Sequence, residues 1–190
     1  MPLDVNALIA ANDEVAQRLA WTFDYRLDLQ AHDTDWFTVD GMDKYQCIGR
    51  EGAGGVYIEL PDKRILYASS EGEAGVIADD FHAFIQLIVS HPYWRDLLKF
   101  SGGGKLSEMR RAAIAMEAFT LGDVEDLTEA REFVIAELAL DEPEDAIGDL
   151  HRAVSASALS VRSRWDGNPA SSLFNRYTID NNPMLRDLAD

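Results

Sequence analysis

The sequence predicts an α+β protein, in which an antiparallel sheet with packed helices is followed by a helical carboxy-terminal region. Three observations carry this expectation. Between residues 36 and 77, short β-prone runs alternate with turns bearing Gly, Asp and Pro. At Asp79 the apolar spacing changes from that of a strand to that of a helix. Beyond Gly104, helical spacing dominates.

Residues 4–20 read as one amphipathic helix. Asp4 is a good N-cap, and Val5, Leu8, Val15 and Leu19 lie near helical spacing. Residues 21–35 are mixed and set no element. Five β-prone runs follow, at 36–39, 45–48, 56–60, 64–68 and 75–77. Their connections are too short for parallel crossovers, so one antiparallel meander is expected. In the third run Val56, Ile58 and Leu60 alternate with Tyr57 and Glu59, as in a strand with one buried face.

Asp79 and Asp80 then cap a helix with Phe81, Phe84, Ile85 and Ile88 on the face that meets the sheet. Ser90, His91 and Pro92 break it and start a second helix, since proline is tolerated in a first turn. That helix carries Tyr93, Trp94, Leu97 and Leu98. Further stripes are Met109, Ala112, Ala113, Met116 and Phe119, then Leu127, Phe133, Val134 and Leu138. Ile147, Leu150 and Val154 follow Pro143, and residues 166–169 mark a late turn. The glycines at 102–104 read as a flexible hinge. They divide an α+β domain at 1–100 from a helical region at 101–190 packed on it.

Composition bounds the function. A chain of 190 residues with 47% hydrophobic and 27% charged residues can build one full core. No apolar run approaches the roughly 18–20 residues that cross a bilayer. Acids precede the first Arg, so a signal peptide is not expected and a cytoplasmic location is the simplest reading. The single cysteine, Cys47, reads as a small buried hydrophobe. A net charge of −17 argues against nucleic acid and anionic membranes, which both attract clustered Lys and Arg. Residues 123–149 hold eleven acids against one base, Arg131. Such a run either keeps a helical surface solvated or docks a basic partner.

Catalytic signatures are sparse. The glycines at 49, 52, 54 and 55 lead into a strand, whereas a dinucleotide loop opens a helix, so a hairpin turn is expected. Ser101-Gly-Gly-Gly-Lys105 precedes a helix but lacks phosphate-loop spacing, and Leu106 stands where a hydroxyl should bind Mg²⁺. His32, Asp33, Thr34 and Asp35 form a ligand-rich tetrad with no second cluster to complete a metal site. No Gly-x-Ser-x-Gly elbow exists. No metal, nucleotide or other cofactor is therefore expected, and binding is favoured over catalysis. The rival is a small enzyme with a site between the sheet and the carboxy-terminal helices, using His82, His91 and an unplaced carboxylate.

One stretch carries a family resemblance over residues 36–98. It runs Ile48-Gly-Arg-Glu-Gly-Ala-Gly-Gly-Val-Tyr-Ile-Glu-Leu, then Ile65-Leu-Tyr-Ala-Ser-Ser-Glu-Gly-Glu-Ala-Gly-Val-Ile-Ala, then the helical stretch 81–98. A glycine-bearing turn, two strands and a helix with paired Phe residues resemble the latter half of the SUKH superfamily. That superfamily includes bacterial toxin-immunity proteins and yeast cell-wall regulators. The resemblance implies a strongly bent antiparallel sheet and a role as a stoichiometric inhibitor or adaptor. Residues 21–47 and the helical region after Gly104 have no counterpart in it.

Together these readings point to a protein-binding module, most concretely an immunity protein against a basic toxin such as a nuclease. A regulatory adaptor without a toxin partner is the other binding reading. Glu71, Glu73, Glu125, Glu129, Glu132 and Asp145 are the candidate charged contacts, and Tyr93 and Trp94 the candidate aromatic anchors.

Overall fold

A computed structural model describes residues 5–29, 33–43, 45–123 and 126–189. The expected cap Asp4, His32 of the tetrad and the candidate contact Glu125 lie outside the described residues. The single amino-terminal helix is corrected to two, α1 at Val5–Ala11 and α2 at Asp13–Thr22. Asn12 divides them because its backbone is extended. Its side chain accepts hydrogen bonds from the Glu14 and Val15 amides and so caps α2.

The strands are β1 (Phe37–Val39), β2 (Gln46–Arg50), β3 (Val56–Glu59), β4 (Ile65–Ala68), β5 (Ala74–Ala78) and β6 (Val161–Ser163). Strands β2 to β5 form the expected antiparallel meander in chain order. Register shifts at Cys47/Gly49 and at Ile65/Leu66 mark irregularities of the kind that bend a sheet. Two expectations are corrected here. Strand β1 leaves the meander and pairs antiparallel with β6, with Val39 opposite Val161. The region after Gly104 is therefore not wholly helical.

The reason is a second apolar core. Phe37, Val39 and Val161 bury against Val56, Ile58, Leu66, Ala68 and Val76, which share one face of the meander. Tyr57, Ile65, Tyr67 and Ile77 bury against helices in the first core. Both faces of the four-stranded sheet are thus covered. The alternation at 56–60 suggested one buried face, yet Tyr57 is as fully enclosed as Ile58. Beyond β6, a bridge pairs Arg162 with Pro169, and the Ala74 amide donates to the Ser171 carbonyl at 3.0 Å. This segment ties the small sheet to the open edge of β5.

The remaining helices are α3 (Phe81–Ser90), α4 (Trp94–Lys99), α5 (Leu106–Asp123), α6 (Leu127–Leu138), α7 (Ala146–Ala156) and α8 (Pro183–Ala189). Asp80 caps α3 as expected, accepting from the Ala83 amide at 2.8 Å. Met109, Met116, Leu150 and Val154 join Phe84, Tyr57 and Tyr67 in one core, so residues on both sides of Gly104 share it.

The glycines at 102–104 are a landing platform, not a free hinge. The Gly102 amide donates to the Tyr177 carbonyl and the Gly103 amide to the Asn175 carbonyl, each at 2.8 Å. Gly104 has a φ of +89°, and a Cβ there would lie 2.9 Å from the Phe174 ring. Glycine is required because the late segment packs directly onto this backbone.

Candidate functional site

The acidic window and the α3–α4 break meet in one cleft of about 630 Å³. Its walls come from the end of α3, from α5 and α6, and from the loop between α6 and α7. Val89, Ile135, Leu140 and Pro143 supply apolar surface, and His91, Tyr93, Glu117, Arg131, Asp141 and Glu142 supply polar groups.

Arg131, the lone base of the window, is committed inward. Its guanidinium donates to Glu117 at 2.9 Å and to the carbonyls of Val89 and Ser90 at 3.1 and 3.2 Å. Those carbonyls end α3 and lack intrahelical donors, so the contact satisfies a helix terminus as well as a charge. Tyr93 donates its hydroxyl proton to Glu117 at 2.7 Å. Burial opposes ionisation of Glu117, but the Arg131 and Tyr93 hydrogen bonds outweigh it and hold the carboxyl below its ordinary range. Burial, reinforced by the Glu117 carboxylate, pushes the Tyr93 phenol far up.

Ser90 biases the tautomer of His91. Its hydroxyl lies 2.6 Å from the Gln86 carbonyl, shorter than its 2.9 Å contact with His91 Nδ1, so the one hydroxyl proton favours the carbonyl and the serine oxygen is left to accept from the ring. In that tautomer Nδ1 carries the hydrogen. Burial lowers the imidazole pKa, which favours the neutral ring. Nε2 is then an acceptor with no partner among the described residues.

The acids around this cleft divide into two groups. Glu129 pairs with Arg18 at 3.2 Å, and Asp149 with Arg152 at 2.7 Å. Asp145 caps α7 through the Gly148 amide and pairs with Arg110 at 2.7 Å. Glu132, Asp141, Glu142 and Glu144 are exposed, and their side chains have no partner among the described residues. The candidate contacts Glu129 and Asp145 thus already have partners within the fold, whereas the Glu132 side chain has none among the described residues.

Glu71, Glu73 and Trp94 lie elsewhere, lining a second cleft of about 360 Å³. Its base is a charge network. Arg95 pairs with Glu51, and with Asp24 at 2.9 Å. Glu51 is 4% exposed and also accepts from the Tyr67 hydroxyl at 2.9 Å and the Gly55 amide at 3.2 Å. Burial, helped by nearby Glu71, raises the pKa of Glu73. The expected aromatic anchors are corrected: Tyr93 and Trp94 are buried, because α4 turns that face onto the core. Trp94 packs edge-on against Tyr67 with ring centroids 5.1 Å apart.

The two rival histidines are not brought together. His91 lines the first cleft, while His82 lines neither cleft. Cys47 is only half-buried, with its pKa raised chiefly by that burial. Sequence reasoning missed Glu117, whose partners are remote in sequence. It also passed over the outward tryptophans Trp21 and Trp165, which are 80% and 84% exposed. Trp165 adjoins the turn at 166–169, a position that could have flagged it.

No family model, curated protein or solved structure matches the chain. No helix among the described residues is long and apolar enough to cross a membrane.

Proposed function

We propose that the chain is a protein-binding module that docks a basic protein on the acidic rim of the first cleft. In its most concrete form it is an immunity protein that neutralises a cognate toxin. The inward commitment of Arg131 carries this reading. With Arg131 turned to Glu117 and the α3 carbonyls, Asp141 and Glu142 border the cleft, and Glu132 and Glu144 join them as exposed acids of the window whose side chains have no partner among the described residues. Unpaired exposed acids of one sign steer an oppositely charged partner toward the surface they border. The resemblance of residues 36–98 to SUKH proteins fits both the immunity form and a regulatory adaptor, and the test below separates them.

The test isolates a basic partner from the native host and follows association as salt is raised. The screening length falls from about 10 Å at 0.1 M to about 3 Å at 1 M, so association should slow steeply across that range. If the partner is a toxin, its activity should be abolished at stoichiometric addition of this chain. An association rate indifferent to salt would refute acidic steering. A salt-sensitive complex that leaves the partner active would favour the adaptor.

A further inference from the structure

We infer that the first cleft is a socket for one arginine side chain of the partner, with His91 Nε2 and the Asp141–Glu142 rim receiving the guanidinium and the apolar walls receiving its stem. This inference rests on the docking reading and assigns its anchor. Three features converge. Val89, Ile135, Leu140 and Pro143 line the cleft with apolar surface suited to a methylene chain. Asp141 and Glu142 border it with exposed carboxylates that have no partner among the described residues. The Ser90 contact favours the His91 tautomer with Nδ1 protonated, in which Nε2 is an acceptor. A side chain that fits these groups offers a hydrogen-bond donor, a positive charge and an apolar stem. Arginine combines these with five N–H donors in a planar fork.

The groups facing His91 fix the pH response. Glu117 comes from α5, Arg131 from α6, Asp141, Glu142 and Asp145 from the following loop, and Tyr93 from the turn before α4. On acidification the ring protonates, loses its acceptor and repels a guanidinium. Affinity should fall as pH drops through a His91 midpoint set by burial below the ordinary 6.5.

The experiment titrates the full chain with N-acetyl-arginine amide, following the Ile135 methyl and His91 ring signals by NMR. N-acetyl-citrulline amide, its neutral counterpart, is the control. The arginine probe should shift both signals, and the citrulline probe should bind at least about tenfold more weakly, the scale of a charge-assisted hydrogen bond. Glu142→Gln should weaken the arginine probe. His91→Asn, which can keep an N–H toward Ser90 but has no Nε2, should weaken it and abolish the pH dependence. Equal binding of both probes, shifts confined to the second cleft, or no shift at all would overturn the socket. If the probe fails while partner association still responds to salt, the socket falls and the docking reading stands. If the probe binds as expected but partner association ignores salt, the docking reading falls instead.

Discussion

Phe84→Ala is expected to destabilise the protein by about 3–5 kcal/mol, the usual cost of truncating a fully buried phenylalanine. Phe84 is 0% exposed and lies between α3 and the sheet. Its ring meets Tyr25 edge-on at a centroid distance of 5.2 Å and Tyr57 at 4.8 Å. Removing it leaves a cavity at the centre of the larger core, and the surrounding rings cannot collapse without losing their own contacts. Whole domains are stable by only about 5–15 kcal/mol, so the change should produce a large fall in the denaturant midpoint. An unchanged midpoint would mean that α3 does not pack on the sheet through this residue.

Glu51→Ala should cost a similar amount, near the lower end of the roughly 3–5 kcal/mol for breaking a buried ion pair. The substitution strips Arg95 of one carboxylate and leaves the Tyr67 hydroxyl and Gly55 amide without an acceptor. Arg95 is about a third exposed, so water recovers part of its solvation and moderates the loss. Glu51→Gln keeps an acceptor for Tyr67 and Gly55 and should be milder. Denaturant titration of both variants checks this ordering. Equal losses would show that the charge at Glu51 carries the whole effect and that its hydrogen bonds to Tyr67 and Gly55 add nothing to it.

Much of the architecture was legible because local rules and tertiary packing agree. The glycine, aspartate and proline turns bound β2 to β5, and Asp80 caps α3 where the period changes. The misplaced elements are those decided by distant partners. Nothing near residues 36–39 announces that β1 will pair with Val161–Ser163, since strand pairing across more than a hundred residues leaves no local periodicity. The glycines at 102–104 signal freedom from a Cβ, and freedom reads as a hinge until the late segment is seen to land on them. The candidate site was half legible. The excess of acid predicted a charged surface, but not which acids already have partners. Glu129 and Asp145 looked equivalent to Glu132, yet Arg18 and Arg110 claim them. Tyr93 and Trp94 stand out in the sequence as candidate aromatic contacts, and the fold buries both.

The central claim is that the unpaired exposed acids of residues 123–149 steer a basic partner. Glu132, Asp141, Glu142 and Glu144 can all be reversed to Lys without removing a cap or an ion pair seen among the described residues. Each exposed substitution should change stability by under about 0.5 kcal/mol, so the quadruple variant should remain folded. Stopped-flow association with the isolated partner at low salt is the deciding measurement. Steering of this kind raises association rates by about 10-fold to 1,000-fold, so the variant should associate at least about tenfold more slowly than the wild type. A folded quadruple variant that associates at the wild-type rate would contradict the claim and leave the rim a solvated surface.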